Sequence, residues 1–405
     1  MKPRVALLTH DLSGGLGTMT GFMHRVLLDS GRYQPEIILL ATSNSDSASL
    51  LLHSPRTWMS GIQLRQEEWR GITYTHVGAW GSELEFQRYA PRHQLTQLLN
   101  EFDLLQFVVG SPPWGCAASK VQRPKILWTA TTTAPDRASR ALRDSPMRRL
   151  WASFIMPQTR RFERRAVREA NAVLALSPYT FEAVRLLTRS RPLHLALCGV
   201  DTDLFRPLEE SPRDYILCVA RLSDARKNLT LLLKAYASLQ SKMALPDLCL
   251  VGEPPSEEAK KLLRELGIED KVRMLGVKGP QELAVLYQNA QFFVLSSDEE
   301  GLAIVVIEAM SSGLPVICTA CGGPESVVMN NQTGFLTPVG DVGAFAQAME
   351  RLLSDQTLRE SMGRAARREA EEKYSLAVTG RVFLDQYDQL LSSKEKTGER
   401  IGSKG

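Results

Sequence analysis

Short apolar runs separated by polar, turn-forming stretches set the rhythm of this chain. Residues 5–8 form an apolar run. The stretch Ser13-Gly14-Gly15-Leu16-Gly17 follows, and helical apolar periodicity begins near Thr18. Further runs at 36–41, 104–109, 125–128 and 172–176 have strand length, with helical patterns between several of them. Strands alternating with helices predict a parallel sheet covered on both faces. After the Pro- and Gly-containing stretch 198–213 (CGVDTDLFRPLEESPR), expected to be a linker, the pattern restarts. Strands are predicted at 215–220, 248–252, 272–275, 292–295 and 315–318, and the clearest helices at 229–239 and from about Ala303. The expectation is two α/β domains, 1–198 and 213–375, a last helix at 376–391 and a disordered polar tail at 392–405. Ligands of such units sit at the C-terminal ends of strands, or in a cleft between the two domains.

Composition changes this picture only in part. The chain has 405 residues, 43% hydrophobic and 23% charged, which suits two globular domains and excludes wholesale disorder. Six cysteines do not make a disulfide framework. The longest apolar runs are strand-sized, so no transmembrane helix is expected, and the first is too short for a signal peptide. A cytoplasmic location is the default, with peripheral contact at the inner face of a membrane left open.

The net charge of +4 hides an asymmetry. Residues 1–200 hold 25 Lys/Arg against 15 Asp/Glu, and the remainder 24 against 30. Most of the excess lies in residues 137–168, where ten arginines (137, 140, 143, 148, 149, 160, 161, 164, 165 and 168) face only Asp144 and Glu163. Trp151, Phe154, Ile155, Met156 and Phe162 are interleaved. Such a stretch suits an anionic membrane surface or a phosphorylated acceptor, or it is a solvated helix face. No nucleic-acid-binding module accompanies it.

Three motifs carry chemistry. The Ser13–Gly17 stretch lies between a strand and a helix, where glycines let a backbone approach a phosphate at a helix N-terminus; a tight turn is the other reading. It fits neither a dinucleotide fingerprint nor a P-loop, which makes an NAD-dependent dehydrogenase the least favoured class. The segment 221–228 (RLSDARKN) brings Arg221, Arg226 and Lys227 to a strand end, where they neutralise a diphosphate or form a solvated turn. The segment 296–310 (SSDEEGLAIVVIEAM) runs from an acidic strand end into an apolar helix, with Glu300 and Glu308 eight residues apart. A glutamate buried in such a helix needs hydroxyl or N–H donors, which a sugar or ribose supplies. The alternative is a glutamate at the helix start and an exposed one further along.

The stretch EEGLAIVVIEAMSSGLPVICTACGGPESV resembles the E-x7-E signature of retaining glycosyltransferases of family 4, which have the GT-B fold. SGGLG, CGVDTDLFRP and ARLSDARKN recur in the order that family shows, with VGEPPSEE and VRMLG where it places nucleotide-side strands. The resemblance implies two Rossmann-like domains facing across a cleft, the last helix crossing back to the first domain. It implies a retaining, metal-independent hexosyltransferase, needing no cofactor, that uses a nucleotide-diphosphate sugar, with a UDP-sugar favoured. In that case Arg221 and Lys227 would hold the donor diphosphate, Glu308 the ribose, and Glu300 the donor sugar. Backbone N–H groups of Leu302, Ala303 and Ile304 would meet sugar and phosphate, and Gly15 and Gly17 would let the first domain close onto the diphosphate. The chain departs from the family at Thr129, where many members carry a histidine after an apolar strand. That departure keeps a non-catalytic binding or scaffold protein as an alternative, beside a sugar-nucleotide epimerase.

Other candidates are set aside. Asp201-Thr202-Asp203 is a metal motif of a different fold, and Cys318-Thr319-Ala320-Cys321 is a lone CxxC without further ligands. His10, His24, His53, His76, His93 and His194 show no ligand spacing.

Overall fold

A computed structural model of the chain describes residues 2–43, 45–134, 146–188, 191–208 and 213–402. They divide into two units, Met1–Leu197 with Gly380–Gly405, and Cys198–Thr379.

In the first unit the strands are β1 (Arg4–Thr9), β2 (Gln34–Leu40), β3 (Leu64–Trp69), β4 (Ile72–Val77), β5 (Leu104–Val109), β6 (Lys125–Thr129), β7 (Ala172–Ala175) and β8 (Leu193–Leu195). They form one sheet in the order β3-β4-β2-β1-β5-β6-β7-β8. Every neighbouring pair is parallel except β3 with β4. The central strand β5 is buried along its whole length. A strand covered on both faces reads as a continuous apolar run, which is why β1 and β5 are legible in the sequence. The hairpin β3–β4 is not, because the edge strand β3 alternates exposed and half-buried positions and β4 is half-buried along most of its length. Its turn, Arg70-Gly71, has both residues at positive φ (53° and 77°), the two-residue geometry that matches strand twist.

The helix Gly14–Asp29 begins four residues earlier than the periodicity predicts. The glycines form its first turn instead of a loop before it.

The last helix, Leu376–Gly402, joins the first unit from Gly380 onward. Phe383 is fully buried between Phe22 and Trp128. The Tyr387 hydroxyl donates to Gln106 Oε1 at 3.0 Å, and Asp388 accepts from Tyr33 and Arg32. The helix extends to Gly402, into the segment 392–405 expected to be a disordered tail, of which 403–405 lie outside the described residues. The sequence there is rich in Lys, Glu and Arg and lacks proline; polarity decides exposure, while these residues remain good helix formers.

The second unit holds β9 (Tyr215–Val219), β10 (Asp247–Val251), β11 (Val272–Met274), β12 (Ala290–Leu295), β13 (Val316–Thr319) and β14 (Gly334–Thr337), in the order β11-β10-β9-β12-β13-β14. All its pairs are parallel. Its core packs β9, β10 and β12 against the helices Leu229–Ala237 and Val342–Ser354.

The expected linker is instead part of this unit. Val200 pairs with Ser375, and its N–H donates to the Tyr374 carbonyl at 2.8 Å. Arg367 donates to the carbonyls of Thr202 and Phe205, each at 2.9 Å. Backbone groups with fixed partners behave as structure, so the boundaries fall at 197/198 and 379/380 instead of at 198, 213 and 375.

Phe383→Ala empties a buried aromatic site and should cost about 3–5 kcal/mol of stability in the first unit. Urea unfolding followed by tryptophan fluorescence reads this out. An unchanged midpoint would show that Phe383 does not anchor the returning helix.

Candidate functional site

In the second sheet the chain order reverses between β9 and β12: β10 and β11 lie on one side, β13 and β14 on the other. Two segments leave the sheet there, 220–228 after β9 and 296–303 after β12. In open parallel sheets this is where ligands bind.

Side chains lace the two segments together. Lys227 Nζ donates to Glu300 Oε1 at 2.6 Å, and Ser297 Oγ donates to the same oxygen at 2.6 Å. The lysine and glutamate side chains are only 16% and 11% exposed. Asn228 Nδ2 donates to Asp298 Oδ1 at 2.8 Å, and the Asp298 N–H donates to the Arg226 carbonyl at 2.7 Å. Ser296 Oγ donates to the Lys227 carbonyl at 2.9 Å. The backbone of Glu300 is clamped from the other side, donating to the Cys321 carbonyl and accepting from the Gly323 N–H. Gly323 permits this approach, since a Cβ there would lie 2.8 Å from Leu302 Cα.

Helices start on both sides of this crevice. Asn228 (φ 42°) precedes Leu229–Ala237, and Ala303 (φ 60°) precedes Ile304–Ser311. Both adopt the left-handed conformation that non-glycine residues rarely take and that recurs at functional sites. Leu302, Ala303 and Ile304 lie at the start of the second helix, where backbone N–H groups lack intrahelical acceptors and favour an anion.

The remaining cations divide their roles. The Arg221 side chain is 48% exposed, with its guanidinium 3.6 Å from Asp224. Arg226 is committed to Asp224 through Nε and Nη2, a partnership that raises its pKa. Arg221 is the more available of the two.

Glu308 is buried, not exposed. Its Oε2 accepts from the Tyr287 hydroxyl at 3.0 Å. Burial, reinforced by the Glu308 charge, pushes the Tyr287 pKa well up, so the phenol stays protonated and donates. Nothing local in the sequence marks Tyr287, because its partner is 21 residues away.

In the first unit the order reverses between β1 and β5. Gly15 is exposed there with open space around its Cα, whereas Gly17 is buried and a Cβ would lie 2.3 Å from the Leu12 carbonyl oxygen. Gly15 is thus free to approach a ligand, and Gly17 is required by packing. His10 follows β1 and stacks on Trp114, with ring centroids 4.4 Å apart. Sequence spacing gave no reason to single out this imidazole. Thr129 is buried, and its hydroxyl donates to the Thr131 carbonyl at 2.7 Å, so it supplies no acid or base.

Of the arginine-rich segment, Arg137, Arg140 and Arg143 lie outside the described residues. The helix Pro146–Glu169 exposes Arg160, Arg161, Arg164, Arg165 and Arg168, while Thr159, Glu163, Ala166 and Val167 are buried. Phe162 packs into the first unit's core against Tyr89. That aromatic is therefore unavailable to a bilayer. Asp201 is also spent, accepting from the N–H groups of Asp203 and Leu204 to close a turn.

Residues 200–369 match the family described as Glycosyl transferases group 1, a stretch that contains all of β9–β14 together with Lys227 and Glu300. The likeness to that family extends over these residues. It is 30% identical over 235 residues to the MMP alpha-(1->4)-mannosyltransferase of Mycolicibacterium hassiacum, covering 57% of this chain and 56% of that protein. The matched stretches span about half the length of such curated relatives or less. Sucrose-phosphate synthase from Thermosynechococcus elongatus superposes with a TM-score of 0.73 at 19% identity, covering 97% of this chain and 100% of that one. HepE of Anabaena, solved with UDP and glucose, gives 0.71 at 16% identity, covering 95% and 99%. The likeness to these structures is one of fold, and that fold is GT-B.

Cys318 and Cys321, beside the crevice, are both free thiols. Burial pushes the Cys321 pKa up to about 12, although the Thr319 hydroxyl opposes the shift. The buried Cys321 thiol therefore stays protonated at pH 8, which disfavours redox exchange. Ellman's reagent at pH 8 should label the native chain far more slowly than the urea-unfolded chain. Rapid native labelling of Cys321 would contradict this account.

Proposed function

We propose that this protein is a retaining glycosyltransferase that moves a hexose from a nucleotide-diphosphate sugar to an acceptor hydroxyl. The observation that carries the reading is the Lys227–Glu300 pair at the β9/β12 reversal, beside the first N–H groups of the helix Ile304–Ser311. Cationic side chains and a helix N-terminus meet a diphosphate, while a held carboxylate meets a sugar. The match over residues 200–369 supports the same reading.

Lys227 has one N–H on Glu300 and offers the others to the diphosphate, joined by Arg221. As the anomeric C–O bond breaks, its electron pair leaves with the diphosphate. The growing charge falls on these donors, which need no reorganisation. The acceptor oxygen bonds to the anomeric carbon on the same face, and its proton passes to a diphosphate oxygen. This route uses no acid or base at Thr129 and needs no metal. Glu300, already hydrogen-bonded by Lys227 and Ser297, orients the sugar and stabilises positive charge instead of attacking it. Glu308, held by Tyr287, receives the ribose hydroxyls.

Lys227→Ala and Glu300→Ala should each lower transfer by about a hundredfold or more, measured as sugar transferred from a panel of nucleotide sugars. Arg221→Ala, at an exposed position, should keep the melting temperature and raise KM for the donor. Near-normal transfer in the first two variants would overturn the assignment.

The five exposed arginines of the helix Pro146–Glu169 suit an anionic membrane surface as a second partner, by charge alone. Sedimentation with phosphatidylglycerol liposomes should fall when Arg160, Arg161, Arg164 and Arg165 become Gln. Unchanged sedimentation assigns the patch another purpose.

A further inference from the structure

The second unit has another cationic concavity, at the opposite ends of its strands. A depression of about 640 Å³ is floored by Gln291, at the start of β12, and by Gly313, just before β13. Lys227 and Glu300 follow the other ends of β9 and β12. The depression is within the size range of small-molecule sites.

Five arginines line it: Arg213 from the chain entering β9, and Arg359, Arg364, Arg367 and Arg368 from the helix Gln356–Tyr374. Arg364 and Arg368, four residues apart, are neighbours on the helix surface. Gly363 lets that helix sit close, since a Cβ there would lie 2.3 Å from the Gly313 carbonyl oxygen. Among the described residues, two carboxylates, Glu360 and Glu371, share the lining.

Two of the arginines are already used. Arg367 donates to the Ser311 carbonyl at 2.7 Å and pairs with Glu371 at 2.6 Å. Arg359 donates to the carbonyls of Leu352 and Leu353. Burial lowers the Arg359 pKa; Glu360 and Asp355 oppose the shift, and Arg213 adds a smaller repulsion. Among the described residues the other three are less committed. Arg364 reaches Glu360 only at 3.9 Å, and among the described residues neither Arg213 nor Arg368 has a carboxylate within ion-pair distance.

Five arginines against two described carboxylates leave the lining of this depression net positive, which favours an anion. A phosphate group suits that lining best, since its oxygens accept paired N–H bonds from several arginines at once. We propose that this depression is a second anion site, separate from the β9/β12 crevice, that binds a phosphate monoester or inorganic phosphate through Arg213, Arg364 and Arg368.

The test is calorimetric titration of the full chain with inorganic phosphate and with glycerol 3-phosphate, against sodium chloride at equal ionic strength. Replacing Arg213, Arg364 and Arg368 together by Gln should weaken the phosphate-specific binding by at least about tenfold, and Lys at the same positions should restore part of it. Arg221→Ala, in the other site, should leave this binding in place. Vesicles containing phosphatidic acid, compared with soluble glycerol 3-phosphate, separate a lipid headgroup from a free metabolite. Loss of either interaction in the Gln variant supports the site. Binding that is unchanged in a folded Gln variant, or matched by chloride alone, overturns it.

Discussion

The second unit is organised around one ion pair. Lys227 and Glu300 leave the sheet from neighbouring strands and meet at 2.6 Å, each largely withdrawn from water. Neither charge is comfortable there alone: removing one partner of a buried pair leaves the other desolvated and uncompensated. The pair is stable only because its surroundings are complete. Ser297 adds a hydroxyl to the carboxylate, while Cys321 and Gly323 hold its backbone. The Asn228–Asp298 hydrogen bond closes the same two segments one residue further along. Charge, hydrogen bonds and backbone together keep the crevice in a single geometry before any ligand arrives.

That geometry depends on backbone that would be unfavourable elsewhere. Two helices begin from left-handed Asn228 and Ala303, and a glycine at 323 admits a main-chain approach that no other residue allows. The asparagine offsets its conformation locally, since its Oδ1 accepts from the Leu231 N–H. Ala303 has no such side chain, and the packing around it holds the turn. The cost of that strain is the cost of directing helix N–H groups into the crevice.

Charge is distributed with similar economy. The arginine-rich helix of the first unit turns Thr159, Ala166 and Val167 inward and five guanidiniums outward, so its apolar face serves the core. In the acidic second unit, cations cluster after β9 and along the helix Gln356–Tyr374, among others spread over its surface. A net charge per half is a poor guide to such arrangements, because it averages over residues that never share a surface.

The alternation of apolar runs and helical patterns determined the α/β class, ten of the fourteen strands and the segments bearing Lys227 and Glu300, because buried parallel strands and strand-end motifs are local properties of a chain. The edge hairpin β3–β4 escaped, since a half-exposed strand lacks that signal. The stretch CGVDTDLFRP has the composition of a connector, yet its Thr202 and Phe205 carbonyls are bonded by Arg367, more than 160 residues away. Only the tertiary structure decided that Glu308 is buried on Tyr287, that His10 stacks on Trp114, that Gly17 serves packing, and that five arginines share one depression. Each of these depends on contacts between residues far apart in sequence. A linear pattern records which groups exist, but folding alone decides which of them meet.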